Sequence, residues 1–359
     1  MKIVTIIGAR PQFIKAAPLT LAIKRDYHPH IKETIVHTGQ HFDKEMSDIF
    51  FKELNLPEPH YNLNISSLTH GAMTGRMLEG IEQILVKERP DYVLLYGDTN
   101  STLSGALAAV KLGIKIVHIE AGLRSFNMEM PEEINRILVD RISSLLFCPS
   151  KSSVLNLKME GIVKEVYEVG DIMMDSIELF KKMKMVAKLK HIPSSETEFF
   201  LATLHRQENT DNREVLQKIL QSLNDFAKKN KLFFPLHPRT KKKIEEFKLE
   251  KYLDNMILLK PLSFFEAQQY LSQSNFLITD SGGMQKESFY HGVPCITLRK
   301  ETEWTETIGE GMNYLLGNSY TDIKKIVNLH DRSKQYDKNI YGDGKTAYKI
   351  LEILTGNVN

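Results

Sequence analysis

Short apolar runs alternate with helix-spaced segments almost from end to end of this sequence. In the first half the runs are KIVTII from Lys2, ETIVHT from Glu33, YVLLYG from Tyr92, IKIVHI from Ile114 and LLFC from Leu145. Continuous β-branched runs of this length read as strands buried on both faces, as in parallel sheets. Between them Met73, Met77, Ile81, Ile84 and Leu85 recur at helical spacing and put one apolar stripe on a helix. The methionines of that stripe read as core filler, because flexible thioethers fill gaps under helices. A βα repeat of this kind predicts a doubly wound α/β sheet.

The pattern restarts after about Gly170 with FFLATL, LFFPLH, MILLKP, FLITDS and PCITLR. A chain of 359 residues exceeds one typical core, so the restart predicts two Rossmann-like domains with a cleft between them. The stretch from Lys181 to Glu198 is rich in Lys, Ser and Pro and lacks a clear period, which puts the hinge within residues 171–196. The domains are read as residues 1–172 and 173–341.

Forty-seven Lys and Arg face 45 Asp and Glu, so no broad basic field exists to wrap nucleic acid, and any anion site must be local. Met1 runs directly into a strand-like segment without a charged and apolar leader, and no long apolar stretch follows; this reads as a cytoplasmic protein with no membrane partner. Cys148 and Cys295 sit in strand-like sequence, outside any metal or redox motif, and read as buried thiols.

In open α/β sheets, ligands bind at the carboxyl ends of strands, and polar clusters fall there. After the first strand, Gly8-Ala9-Arg10-Pro11 leads into a helix carrying Lys15. Free N–H groups and two cations make this either a diphosphate cradle or a plain turn. Asp98, Glu120 and Glu132 follow later strands or open a helix. Helix capping accounts for Asp98 or Glu132 singly, but three carboxylates in one crevice suit acid/base chemistry, since crowding drives their pKa values apart. In the second half, His205 and His237 stand at strand ends beside arginines. Asp280-Ser281-Gly282-Gly283 leads into a helix from about Met284, where backbone N–H groups and Ser281 suit a phosphate and Glu287 suits ribose hydroxyls.

Nine stretches in order are similar to the non-hydrolysing UDP-N-acetylglucosamine 2-epimerase family: G-A-R-P-Q-F-I-K, H-T-G-Q-H, G-D-T-N-S-T, H-I-E-A-G-L-R, P-E-E-I-N-R, L-H-R-Q-E-N, L-H-P-R-T, T-D-S-G-G-M-Q-K-E and Y-G-D-G-K-T-A. The resemblance covers nearly the whole chain. It implies a glycosyltransferase-B-like fold with the active site in the interdomain cleft, and a C-terminal helix, residues 342–359, returning to the first domain. It also implies a homodimer, and neither NAD nor a catalytic metal. In enzymes of that family the C2 proton and UDP are eliminated across C1 and C2 to give a 2-acetamidoglycal, and UDP then adds back with a proton delivered to the other face. By position, Asp98, Glu120, Glu132 and His205 match catalytic residues. Arg10, Lys15, Ser281, Gly282 and Gly283 match diphosphate positions, Glu287 the ribose ligand, and Phe265 and His237 positions near the uridine.

The variants G-A-R-P-Q-F-I-K, H-I-E-A-G-L-R-S-F-N-M, M-P-E-E-I-N-R and T-E-W resemble the UDP-2,3-diacetamido-2,3-dideoxyglucuronate 2-epimerase subgroup. Its substrate carries a carboxylate at C6, for which Arg76, Arg124 and Arg136 are candidate cations. Trp304 stands where the commonest bacterial enzymes carry a cation, and Asp43 lies where they use a glutamine in a regulatory site. The alternative substrates are UDP-N-acetylglucosamine and UDP-N-acetylmannosamine. A hydrolysing epimerase, a glycosyltransferase of the same architecture and a non-catalytic sensor are the competing functions, and the last two would not need the three first-domain acids.

Overall fold

The computed structural model describes residues 1–40, 56–182, 198–317, 322–331, 333 and 335–356, without the side chains of Arg10 and Lys182. The chain divides into two compact units, Met1–Lys182 with Asn339–Asn359, and Met183–Lys338.

The first unit runs β1 (Lys2–Ile7), α1 (Arg10–Ala22), β2 (Lys32–His37), β3 (Tyr61–Asn62), α2 (His70–Glu88), β4 (Tyr92–Tyr96) and α3 (Asn100–Lys111). It continues through β5 (Lys115–Ile119), α4 (Pro131–Ile142), β6 (Leu145–Cys148), α5 (Lys151–Met159), β7 (Val166–Glu168) and α6 (Ile172–Lys182). The second unit contains β8 (Phe200–Thr203), α7 (Gln207–Thr210), α8 (Arg213–Ala227), β9 (Leu232–Pro235), α9 (Pro238–Phe247), β10 (Ile257–Leu259) and α10 (Phe264–Gln273). After these come β11 (Phe276–Thr279), α11 (Gly282–His291), β12 (Cys295–Thr297), α12 (Thr305–Gly309), β13 (Asn313–Leu315) and α13 (Ile323–Leu329). The C-terminal α14 (Thr346–Thr355) belongs to the first unit.

Both sheets are parallel, in the orders β3-β2-β1-β4-β5-β6-β7 and β10-β9-β8-β11-β12-β13. Strand order reverses direction between β1 and β4 in one sheet and between β8 and β11 in the other, and the crevice outside such a switch is where doubly wound sheets bind ligands. Every long apolar run forms its expected strand. The edge strands β3, β7 and β13, two or three residues each, were not expected, being too short to show a period.

In the first unit, Met77, Ile81 and Leu85 of α2 and Ala106 and Ala109 of α3 are buried with Val4, Ile6, Val93 and Leu95 of the sheet. A Cβ on Gly105 would sit 2.7 Å from Leu95 and 2.8 Å from Ile6, so α3 lies directly on the strands. In the second unit Leu216, Ile219, Leu220 and Leu223 of α8 bury with Phe234, Ile278 and Ile296. Their i, i+3, i+4, i+7 spacing gives one continuous stripe, each side chain contributing roughly 1.5–3 kcal/mol on burial. Both cysteines are buried; burial raises the Cys148 thiol strongly and pushes Cys295 up to about 12.

The C-terminal helix begins at Thr346, a turn later than its glycine-rich lead-in from Gly342 suggested. Asp175 of α6 sets this start: its carboxylate accepts from the backbone N–H of Thr346 at 3.1 Å and Ala347 at 2.8 Å. Burial pushes Asp175 from 3.8 up to about 6, against the pull of those donors. An acid raised on folding contributes fully below its unfolded pKa and loses that contribution as pH rises through the folded one. Between pH 4 and 7 the wild type should therefore lose about 2 kcal/mol of unfolding free energy that Asp175→Asn does not lose. Urea unfolding at the two pH values checks this, and a pH-independent difference between the two proteins would overturn it.

Candidate active site

At the first unit's switch point, Glu120 follows β5 directly and adopts φ 72, a left-handed conformation in a residue with a side chain. Such strain costs roughly 1–3 kcal/mol and concentrates at functional sites. The buried Glu120 carboxylate pairs with the Lys15 ammonium of α1. The turn after β4 passes beside this pair, for a Cβ on Gly97 would lie 3.3 Å from Glu120 Oε2 and 3.6 Å from Lys15 Nζ. Asp98 comes next, partly exposed, and takes Arg136 Nη2 at 2.7 Å and Nε at 2.9 Å. Asn135 donates to the Asp98 carbonyl at 2.8 Å. Asp98 does not cap α3, because Thr99 does so by accepting from the Thr102 N–H. Capping, the ordinary role of an acid at this point, is therefore taken.

The two glutamates that open α4 differ sharply. Glu133 is fully buried and accepts from the N–H groups of Ser125 and Phe126, both at 2.9 Å, and from Arg136 Nη1 at 2.6 Å. Burial alone would raise its pKa, but those donors outweigh it and hold the group below the usual carboxylate range. Glu132 is half-buried and carries none of the described ion pairs or hydrogen bonds. It precedes Arg136 by four residues, so the two share the helix face that reaches Asp98. The structure thus brings Asp98, Glu120 and the α4 start together.

The turn after β1 is not an open cradle. Gln12 Oε1 accepts from the N–H groups of Gly8 at 2.8 Å and Ala9 at 3.0 Å, and its Nε2 donates to the Tyr96 carbonyl at 2.9 Å and Thr102 Oγ1 at 3.0 Å. Those two backbone donors are consumed within the turn. Arg10 opens α1, and its side chain lies outside the described ones, as does Asp43.

In the second unit, Asp280 at the end of β11 is fully buried and accepts from the N–H groups of His205 and Arg206 and from Asn209 Nδ2. Burial would raise this carboxyl, yet His205 and the other donors hold it below its ordinary value. His205 Nδ1 lies 3.2 Å from Asp280 Oδ1, which leaves Nε2 as the outward edge of a half-exposed ring. The His237 ring lies 5.4 Å away and caps α9 by accepting the Arg239 N–H at Nδ1. Burial and the neighbouring His205 both hold His237 below the usual histidine range.

Helix α11 starts at Gly282, not Met284, because Ser281 is its N-cap and its hydroxyl accepts from the Met284 N–H. Gly282 and Gly283 therefore supply first-turn N–H groups with no intrahelical acceptor, the feature that binds phosphate. A Cβ on Gly282 would lie 3.0 Å from Glu303 and 3.4 Å from Arg206 Nη2, so a cation stands at that helix start. Arg206 was recognised in sequence only as a neighbour of His205. Glu287 is buried and bonded to Gln268 Nε2, whose Oε1 faces His291 Nε2 at 2.7 Å. Phe265 is buried at the start of α10, its ring edge-on to Phe264. Trp304 is buried with the Lys286 ammonium 4.1 Å from its ring centroid, so the position lacking a cation receives one from α11. Asn135 and Asp140, inside α4, were absent from the candidate residues, and Asp280 was singled out only as the first residue of the Asp280–Gly283 run.

A family model for UDP-N-acetylglucosamine 2-epimerase matches residues 23–355. The chain belongs to this family. The epimerase is 48% identical over 363 residues to a UDP-N-acetylglucosamine 2-epimerase homolog of Methanococcus maripaludis, across 99% of each chain. It is 47% identical over 359 residues to the UDP-2,3-diacetamido-2,3-dideoxy-D-glucuronate 2-epimerase of Pseudomonas aeruginosa, again across 99% of each. The crystal structure of Methanocaldococcus jannaschii UDP-GlcNAc 2-epimerase in complex with UDP-GlcNAc and UDP matches with a TM-score of 0.89 at 40% identity, over 99% of this chain and 100% of that one. The glycosyltransferase SnogD of Streptomyces nogalater shares the fold alone, with a TM-score of 0.60 at 13% identity. The fold is glycosyltransferase-B-like, and the protein is an isomerase, a UDP-sugar 2-epimerase. No described helix is long and apolar enough to cross a membrane.

Proposed function

We propose that this epimerase inverts C2 of UDP-2,3-diacetamido-2,3-dideoxyglucuronate. The observation that carries the substrate is 47% identity along the whole chain to the Pseudomonas aeruginosa enzyme of that name. Of the three arginines considered for the C6 carboxylate, Arg124 is engaged by Asp140 and Glu160, and Arg136 by Asp98 and Glu133. Arg76, exposed on α2, carries no described ion pair and remains the candidate. UDP-N-acetylglucosamine is the second reading, favoured by the M. jannaschii complex with that sugar nucleotide.

In the proposed reaction a first-unit carboxylate takes the C2 proton while the C1–O bond breaks, and UDP departs with the electron pair, leaving a 2-acetamidoglycal. UDP then adds back to C1 as a proton reaches C2 from the other face. Asp98, Glu120 and Glu132 supply the acid/base groups, with Lys15 and Arg136 setting their charge balance. The α11 start, Arg206 and His205 Nε2 hold the departing diphosphate. The resemblance also supports a homodimer acting in the cytoplasm.

Incubation in heavy water with each sugar nucleotide, followed by proton NMR, tests this reading. Inversion with deuterium at C2 and UDP still attached is expected, faster with the diacetamido sugar. Faster turnover of UDP-N-acetylglucosamine would reverse the substrate assignment, and accumulation of free UDP would replace epimerisation by hydrolysis.

A further inference from the structure

Behind the carboxylates lies a buried charged chain with no part in the proposed reaction. His118 of β5 is fully buried. Its Nε2 lies 2.8 Å from the Gly97 carbonyl and its Nδ1 2.7 Å from Asp140 Oδ1. A carbonyl only accepts, so the ring donates there through Nε2–H. Asp140 Oδ2 accepts from the Gly122 N–H at 3.1 Å and Arg124 Nη1 at 2.7 Å. Arg124 in turn takes both oxygens of Glu160, at 2.6 and 2.8 Å.

We propose, resting on the epimerase reading above, that His118 and Asp140 are positioning residues for the acid/base carboxylates. The His118 Nε2–H fixes the turn that projects Asp98, and Asp140 fixes the turn that carries Glu120. Both turns need external support. Gly97, Glu120 and Gly122 have φ of 63, 72 and 78, a region that side chains disfavour. The turns touch, for the Gly97 N–H donates to the Ile119 carbonyl at 3.0 Å and the Gly97 α-carbon faces the Lys15–Glu120 pair. A movement of either turn changes the separation of Asp98 from Glu120. Neither His118 nor Asp140 reaches solvent, so neither touches substrate, and their effect is exerted through the backbone.

Two amide substitutions separate the bonds. The glutamine amide nitrogen reaches the place of ring Nε2, and the asparagine amide that of Nδ1. His118→Gln should keep C2 deuterium exchange within about tenfold of wild type, and His118→Asn should lose about a hundredfold, the scale expected for misplacing reacting groups by about 1 Å. Calorimetric UDP affinity should be unchanged in both, and their melting temperatures should be lowered alike. Equal exchange rates in the two variants, or losses that follow melting temperature, would overturn the positioning role. If neither histidine variant folds, Asp140→Asn reads the same point: exchange about tenfold or more below wild type at unchanged UDP affinity supports it, and wild-type exchange overturns it. A wild type that exchanges C2 with neither UDP-N-acetylglucosamine nor its diacetamidoglucuronate analogue overturns the reaction reading itself, which distinguishes that failure from this one.

Discussion

Glu120→Gln is expected to slow C2 proton exchange by about 10³-fold, within the ~10²–10⁴ range for removing a general acid/base. The substitution keeps the side chain's shape and an oxygen to accept from Lys15, but removes the charge and the basicity. Glu120 already occupies a left-handed backbone position, φ 72, and glutamine meets the same local strain, so the fold should be little affected. In the proposed division of labour the diphosphate is held by Ser281, Gly282 and Gly283 at the α11 start and by Arg206, so UDP affinity should remain within about twofold, or about 0.4 kcal/mol. Deuterium uptake by NMR and UDP calorimetry on one sample give both numbers. Wild-type exchange in the variant would remove Glu120 from the chemistry, whereas a parallel loss of UDP binding would move it to the nucleotide site.

The largest stability effect is expected from Gly122→Ala. A Cβ there would lie 2.3 Å from the Ser153 carbonyl oxygen and 2.8 Å from its carbon, both backbone of α5 that cannot rotate aside. The left-handed φ of 78 adds roughly 1–2 kcal/mol, and forced overpacking about 1–3 more. A loss of about 2–5 kcal/mol is a large share of a typical stability of about 5–15 kcal/mol. At about 2–4 °C per kcal/mol for a unit of this size, the thermal transition should fall by about 10 °C. Gly113→Ala is the control, since its φ of 68 is similar but a Cβ there would meet nothing within 4 Å. It should lose only the backbone strain. If Gly122→Ala melted no lower than Gly113→Ala, the contact with α5 would be shown to relax without cost.

Much of this was legible before any coordinates. The strands and helices declare themselves because burial against a sheet imposes a local period on the chain, and a local period survives in a one-dimensional string. Carboxylates at strand ends were visible for the same reason: Asp98 and Glu120 break apolar runs at the point where the chain leaves the core. The helix after Asp280 was also readable, but it starts at Gly282, two residues earlier than expected, because Gly-Gly hides the first turn.

Which polar groups are left available was decided only in three dimensions. Gln12 closes the Gly8–Ala9 donors by bonding across to Tyr96, 84 residues away. Arg124 and Arg136, interchangeable in sequence with Arg76 as candidate cations, are bound to Asp140, Glu160, Asp98 and Glu133. Glu132 and Glu133 are adjacent and chemically identical, yet the loop at Ser125 and Phe126 engages only Glu133. Periodicity is a property of neighbours along the chain, so the sequence by itself determined the sheets, the helices and the strand ends where chemistry collects. Hydrogen-bond saturation depends on partners within about 3 Å, whatever their distance in sequence, so only the tertiary structure decided which of those groups remain free to act.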